Sequence, residues 1–344
     1  YLDAEGGIIT STGSACASGD GKPSHVIMAT RNDAEIAHSS VRFSFGLDST
    51  EKDVDHVMKY LPGIVDRLQK ISTLKAGKIK KTAYNETLGT TEWTLSNGVR
   101  VVVKPTTFKQ DEILFYAFSQ GGNSLVATID LPSAALATSV VELGGLADMS
   151  ATDLQKALTG KRVSLSPSIS EYSESMNGAS TVKDLETLLQ LNYLFFTAPR
   201  RDEESFQTLM SILESQLANR NKNPKAAFSD SIQMMGSNYS ERTLIMDKEL
   251  LTQVHLDKAL QIYKERFANP ADFTFIFVGN IAPEDKAFQK LVCTWLGGLK
   301  TNKKLETAAD DNVRVAMGIQ KNYFTREMET KTASNRIQYT SYDM

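Results

Sequence analysis

Few side chains in this 344-residue chain could carry covalent or metal chemistry: it has two cysteines and four histidines. Cys16 sits in STGSACASGDG, a run of small and polar residues that leaves its sulfur sterically open to a partner. Two readings of that loop stay open: a reactive thiol, and a flexible loop with an incidental cysteine. Cys293 lies beside Trp295 on a predicted helix over 285–296 and is read as a core thiol. The two cysteines are far apart and in different contexts, so free thiols are expected in place of a disulfide framework. His25, His38 and His56 come at irregular spacing and are read as surface or packing residues, not ligands. Arg42 falls on the alternating stretch 39–46, where a lone arginine is ordinarily a surface residue. A zinc hydrolytic centre of the H-x-x-E-H kind needs two histidines one turn apart around a glutamate. The stretch LPSAALATSVVELGGLADMSATDLQKAL, residues 131–158, reads as two helices joined at Gly-Gly and contains Glu142 but no histidine.

Composition sets the frame for these residues. Hydrophobic residues make up 41% and charged residues 23%, as in ordinary globular domains, and the net charge of −3 argues for neither a nucleic-acid nor a membrane surface. No apolar run approaches the ~20 residues of a spanning helix. The length suits two or three domains. The opening YLDAEGGIIT has neither an initiator Met nor a basic region, so the chain is expected to be a piece of something longer, without a signal peptide.

Over residues 1–74 the pattern predicts a short strand at 6–10, a helix from 23–29 and a strand across 39–46. Thr50 and Asp53 have capping-box spacing, and the helix that follows places Val54, Met58, Leu61, Val65, Leu68 and Ile71 on one face, with Pro62 as a candidate kink. The ordered motifs STGSACASG, PSHVIMA, AHSSVRFSFG and STEKDVDHVMKYLPGIVDRL resemble the C-terminal end of a cysteine desulfurase, a pyridoxal-phosphate (PLP) enzyme of the class V aminotransferase fold. The resemblance implies that Cys16 is the nucleophile that takes sulfur as a persulfide. It also implies that Arg42 binds the substrate carboxylate, for which its forked guanidinium is suited. The family's PLP lysine, histidine and aspartate lie upstream of the matching segment, so no desulfuration is expected of this stretch alone.

Residues 75–91, basic through Lys75, Lys78, Lys80 and Lys81, are expected to be a linker. Beyond it Ser96-Asn97-Gly98 separates two alternating runs and predicts a type I′ hairpin. Strands follow over 112–119, 162–169, 171–178 and 273–279. Helices are predicted over 132–144, 152–159, 182–199, 202–219, 224–236, 255–267 and 285–296, with capping boxes at Ser150/Asp153 and Thr181/Asp184. Strands in pairs and clustered helices predict an α+β fold: an antiparallel sheet covered by helices on one side, preceded by a small α/β fragment.

The phrases EWTLSNGVRVVVKP, DEILFYAFSQGG, DLPSAALATSVVELGGLADMSATDLQKALTGK, KDLETLLQLNYLFFTAPRRDEESF and FANPADFTFIFVGNI resemble one half of a pitrilysin/insulinase-type zinc metallopeptidase. In that family the first half holds zinc through H-x-x-E-H, and the second lines the chamber, holds substrate and braces the first. Val140-Val141-Glu142-Leu143-Gly144 stands at the zinc helix, so the resemblance is to the second, non-catalytic half. From Asn312 the chain reads as the first strands of a following domain. Arg336 and Tyr339 fall early in it, and the family's substrate-gripping Arg–Tyr pair is placed on neither.

The expected organisation is therefore 1–74 desulfurase-like, 75–91 linker, 92–311 peptidase-like and non-catalytic, and 312–344 the start of a further domain. The expected role is peptide binding and support of a zinc-bearing H-x-x-E-H half. The alternatives are sulfur transfer for iron–sulfur cluster assembly, with sulfur-acceptor proteins as partners, or an inert recombined chain. Zinc and PLP are implied only for parts outside this chain, and none bound by this chain alone is expected. The desulfurase segment implies a cytoplasmic location, and the peptidase segment a periplasmic or envelope one.

Overall fold

In the computed structural model, residues 8, 11–12, 41–44, 46–72, 74–220, 223–302, 305–325 and 333–339 are described, with backbone only at 11–12, 41–42, 66–72 and 219. The chain divides into two compact units, Tyr1–Leu74 with Thr152–Gly160, and Lys75–Ala151 with Lys161–Met344.

In the first unit β1 (Ser11–Thr12) pairs antiparallel with β2 (Val41–Arg42), Ser11 opposite Arg42. The strand expected over 39–46 is limited to these two residues among those described. The helix expected over 23–29, and all of 6–10 except Ile8, lie outside the described residues. Helix α1 (Glu51–Ser72) starts where the capping box predicts. The Thr50 amide donates to Asp53 Oδ2 at 2.7 Å and its hydroxyl to the same oxygen at 2.8 Å, which holds the Asp53 carboxyl below its usual range. The helix runs through Pro62. Its covered stripe differs from the one expected. Val54, Met58 and Val65 are exposed, whereas Val57, Tyr60, Leu61 and Ile64, at positions i, i+3, i+4 and i+7, are the more covered. Two stripes about one residue apart satisfy the same 3.6-residue period, and the choice between them depends on which neighbours are present.

The second unit is built on a seven-stranded sheet of β3 (Ile79–Asn85), β4 (Thr90–Leu95), β5 (Arg100–Pro105), β6 (Ile113–Gln120), β7 (Val163–Ile169), β8 (Ser173–Ser180) and β9 (Thr274–Gly279), in the order β3-β4-β5-β9-β6-β8-β7. Ten α-helices are found among the described residues; in chain order after α1 they are α2 (Leu131–Ala135), α3 (Ala137–Gly144), α4 (Ala151–Ala157), α5 (Leu185–Thr197), α6 (Glu203–Arg220), α7 (Pro224–Gly236), α8 (Lys248–Leu251), α9 (Leu256–Arg266) and α10 (Lys286–Trp295), of which all but α4 belong to the second unit. The α+β architecture is the expected one, with one correction to its antiparallel sheet. Strand β9 returns after the long helical excursion and inserts between β5 and β6, parallel to β5 and antiparallel to β6. Because β5 and β6 run in opposite senses, a strand between them must run parallel to one of them.

Three local expectations are also corrected. The 75–91 linker contains β3, which pairs with β4 along its length. Its exposed Lys80 and Lys81 make a charged edge strand, a composition that also reads as a connector. The other edge, β7, carries Pro167, which removes a pairing donor. The 96–98 turn is a three-residue loop and not type I′. Gly98 alone has positive φ (91°), and Asn97 is held by its side chain, which donates to Leu296 O at 2.9 Å and Leu299 O at 3.0 Å. The described residues of 312–344 form no strand; a strand exists only by pairing, and both sheet edges are blunted.

One face of the sheet is the core. Val101, Val103, Ile113, Phe115, Phe275 and Phe277 are all fully or almost fully buried. Phe196 of α5 packs its ring against Phe267, Phe273 and Phe275 at 5.0–5.9 Å, and Phe288 of α10 packs against Trp93 and Phe277. Burial of each such ring contributes about 1.5–3 kcal/mol.

Candidate functional site

Helices α2 and α3 cover the stretch that resembles the family's zinc helix. The chain breaks between them at Leu136, and Pro132 sits in the first turn of α2. Val140 and Val141 point into the core, at 3% and 0% exposure, while Glu142 is exposed. The turn after α3 is tight. Gly145 has φ 88°, and a Cβ there would lie 2.2 Å from Met149 O. Arg200 Nη1 donates to Gly144 O at 2.8 Å and also pairs with Asp202, which anchors the helix end to the start of α6. Burial, with the Glu142 carboxylate nearby, pushes the Tyr263 phenol well up, and its hydroxyl donates to Phe195 O at 3.2 Å. His255 precedes α9 without a side-chain capping bond, and its amide donates to Ser133 Oγ at 3.0 Å. With Glu142 as the motif's glutamate, the two histidine positions are held by Ser139 and Leu143, and Leu143 offers no lone pair to a cation. Among the described residues no group of three or more His, Cys, Asp or Glu could hold a metal ion. A zinc ion does not fit this helix, and no chemical step is derived through one.

The opposite face of the sheet is open. Along β6 burial alternates strictly, leaving Leu114, Tyr116 and Phe118 at 49%, 38% and 36% exposure. Register sets Leu114 beside Val278 and Ala179, Tyr116 beside Ile276 and Asn177, and Phe118 beside Thr274 and Ser175. Tyr116 and Phe118 stack with centroids 6.4 Å apart. Val102, between Arg100 and Lys104 on β5, continues the strip, and Ser164, Ser166 and Ser168 of β7 border it on the far side. This face can receive apolar and aromatic groups across its middle and polar ones at its rims. It was missed in the sequence because ILFYAFSQ is apolar at consecutive positions and reads as a strand buried on both sides.

Cys16 lies outside the described residues. Arg42 is on β2, opposite Ser11, so the strand that leads into the Cys16 loop is paired with the strand that carries the arginine. Cys293 is a free, half-buried thiol pushed up by burial, and its carbonyl accepts from the Gly77 amide at 2.8 Å. Arg336 and Tyr339 are exposed and belong to no strand.

No family model matches the chain. A zinc protease PQQL-like protein of Arabidopsis thaliana is 29% identical over 215 residues, 62% of this chain and 20% of the relative. A cysteine desulfurase of Gluconacetobacter diazotrophicus is 46% identical over 66 residues, 19% of this chain and 16% of the relative. The chain thus spans about a fifth or less of the length of either relative. The crystal structure of the periplasmic protease PqqL from Escherichia coli matches 69% of this chain and 26% of its own, with TM-score 0.59 and 23% identity. The ferredoxin protease FusC, solved with Arabidopsis ferredoxin, matches 69% of this chain and 26% of its own, with TM-score 0.58 and 19% identity. These likenesses establish a pitrilysin-type peptidase fold for the matched region, and the relatives belong to zinc- and PLP-dependent families. Among the described residues no helix is long and apolar enough to cross a membrane. The chain is a chimera that joins a short stretch similar to cysteine desulfurases to a larger one similar to PqqL-type zinc proteases.

Proposed function

We propose that the larger part of the chain is a chamber-lining, non-catalytic half of a pitrilysin-type peptidase, which holds peptide and braces a separate half carrying H-x-x-E-H. The observation that carries this reading is the sheet with one face filled by helices and the other an open strip of Leu114, Tyr116 and Phe118. Ser139 and Leu143 at the two histidine positions of the motif agree with a supporting role. The partner is the zinc-bearing half, and the ligand is an extended peptide with apolar or aromatic residues. The periplasmic setting of the Escherichia coli protease supports an envelope location. The purified chain is expected to bind unfolded peptides without cutting them and to contain no stoichiometric zinc. Tyr116→Ala with Phe118→Ala is expected to weaken binding about tenfold, or ~1.4 kcal/mol. Zinc-dependent cleavage by the chain alone sinks the reading. So does peptide binding that ignores the double substitution.

A second reading concerns the short stretch, and its support is the 46% identity to a desulfurase. The Cys16 thiolate attacks the outer sulfur of a donor persulfide, R–S–SH, giving Cys16–S–SH and releasing R–S⁻, and Arg42 holds a carboxylate of the donor. Sulfur-acceptor proteins are the partners of this step. Mass spectrometry after incubation with glutathione persulfide tests it: a +32 Da sulfur adduct is expected, about one sulfur by mass. A thiol at residue 16 that reacts no faster than free cysteine counts against it.

A further inference from the structure

Residues 305–325 form neither helix nor strand, and polar groups hold them to the second unit. Arg266 Nη1 donates to Glu306 Oε2 at 3.0 Å and to Glu174 Oε1 at 3.3 Å. The Glu306 amide donates to Asp272 Oδ1 at 3.2 Å, and the Ala309 amide to Ser124 Oγ at 3.0 Å. The Tyr172 hydroxyl donates to Asp311 Oδ1 at 3.1 Å, while Asp311 Oδ2 lies 4.0 Å from Arg242 Nε. Arg242 is held in place by Asn123 O at 2.7 Å and Val126 O at 3.1 Å. Further along, Asn322 bonds Ser231, and Phe324 lies against Phe228 with centroids 6.3 Å apart. Asn322 and Phe324 wall a cleft of about 540 Å³ whose other lining includes Arg220, Asp230 and Tyr239.

The charges in this seam do not balance. Glu171, Glu174, Asp272, Glu306 and Asp311 face Arg242 and Arg266, with Arg100 also acting on Asp272 and Arg314 on Asp311, so carboxyls outnumber cations. At the rim, Asp310 is paired with Arg314 and is thereby held down to about 2. The Glu174 and Asp311 side chains are each 1% exposed, and Glu174 Oε2 and Asp311 Oδ2 have no hydrogen-bond partner. A buried carboxylate oxygen without a donor is costly, and a proton removes that cost. Burial raises Glu171, and the facing Asp311 raises it further. Burial also raises Glu174, against the pull of the Gly122 amide and Arg266, and it raises Asp272. Burial acts to raise Asp311 too, but the Val313 amide, Glu171, Tyr172 and Arg242 together keep it below its usual range. Burial thus favours the protonated form of Glu171, beside Asp311, and of Glu174, which shares Arg266 with Glu306 of this segment.

We propose that residues 305–325 are a proton-gated strap, seated while Glu171 and Glu174 are protonated and loosened when they ionise. A carboxyl raised in the folded state stabilises below its unfolded value, and that stabilisation is lost as pH rises through the folded value. The strap therefore loosens as pH rises from acid toward neutral, and the cleft wall of Asn322 and Phe324 goes with it. Hydrogen exchange of the full chain, corrected for the intrinsic pH dependence of exchange, tests this between about pH 4.5 and about pH 8. Protection of peptides within 305–325 is expected to fall about tenfold or more, while β6 stays protected. Glu171→Gln, which leaves Glu174 to ionise, is expected to make the fall shallower, and Glu171→Gln with Glu174→Gln to flatten it. The proposal is overturned by strap protection that ignores pH, by a Glu171→Gln profile that follows the wild type, or by loss of β6 protection in step with the strap. Protection restored at the alkaline end by added Ca²⁺ also overturns it, in favour of a cation.

Discussion

The two faces of one sheet obey different rules. On the covered face Phe115, Phe275 and Phe277 are at most 2% exposed; Phe275 meets Phe196 and Phe277 meets Phe288 of the helices, and Phe115 packs on Phe275 and Phe277. On the open face Leu114, Tyr116 and Phe118 alternate with those buried residues yet stay more than a third exposed. The same strand thus spends half its side chains on stability and keeps the other half for contact. The largest test of that division is Phe277→Ala, expected to cost about 3–5 kcal/mol in urea denaturation, because its cavity cannot fill from the helix side. If the loss is under about 1 kcal/mol, the covered face is not the core.

Next in size are the polar residues on the covered side. Arg266→Leu leaves Glu174 and Glu306 without their cation, and a broken buried pair costs about 3–5 kcal/mol. Glu174 is already raised by burial, so this loss should deepen as pH rises, and parallel denaturation curves at acid and neutral pH would show it. Gly145→Ala forces a Cβ against Met149 O at positive φ and is expected to lower stability by about 1–3 kcal/mol, read as a drop in Tm. Asn192 is the reverse case. It is fully buried on α5, and neither its amide nitrogen nor its oxygen has a partner. Asn192→Leu is therefore expected to be neutral or stabilising, and a loss above about 1 kcal/mol would mean that the amide is in fact satisfied. The smallest stability effect belongs to the open face. Phe118→Ala should change unfolding by about 0.5 kcal/mol or less while weakening peptide binding, and that split is what separates the two faces.

The features that can be read from local spacing are present. The capping pair Thr50/Asp53 starts α1, and Thr181 and Asp184 bond each other ahead of α5, with Asp184 Oδ2 also accepting the Arg162 amide at 3.0 Å. The missing histidines of α3 need no structure to be seen. The features that depend on distant partners were not legible. Asn97 does not take the positive φ of a type I′ turn, because its amide reaches carbonyls about 200 residues away, at Leu296 and Leu299. The lysine-rich 75–91 stretch looks like a linker until β4 is beside it. The charged seam under 305–325 draws on residues from five separate parts of the chain, and no window contains it.

From the sequence alone, then, follow the α+β class, the order of the main elements from β4 to α10, the lack of histidines at α3 and the likeness of its two parts to different families. Helix caps, periods and motifs act over a few residues, so the chain itself states them. The tertiary structure decided that β9 lies parallel to β5, that the covered stripe of α1 runs through Ile64 and that one face of β6 stays open. It also brought Glu171, Asp311 and Arg242 together. Each of these depends on which surface arrives from far along the chain, because burial and charge pairing are properties of neighbours in space.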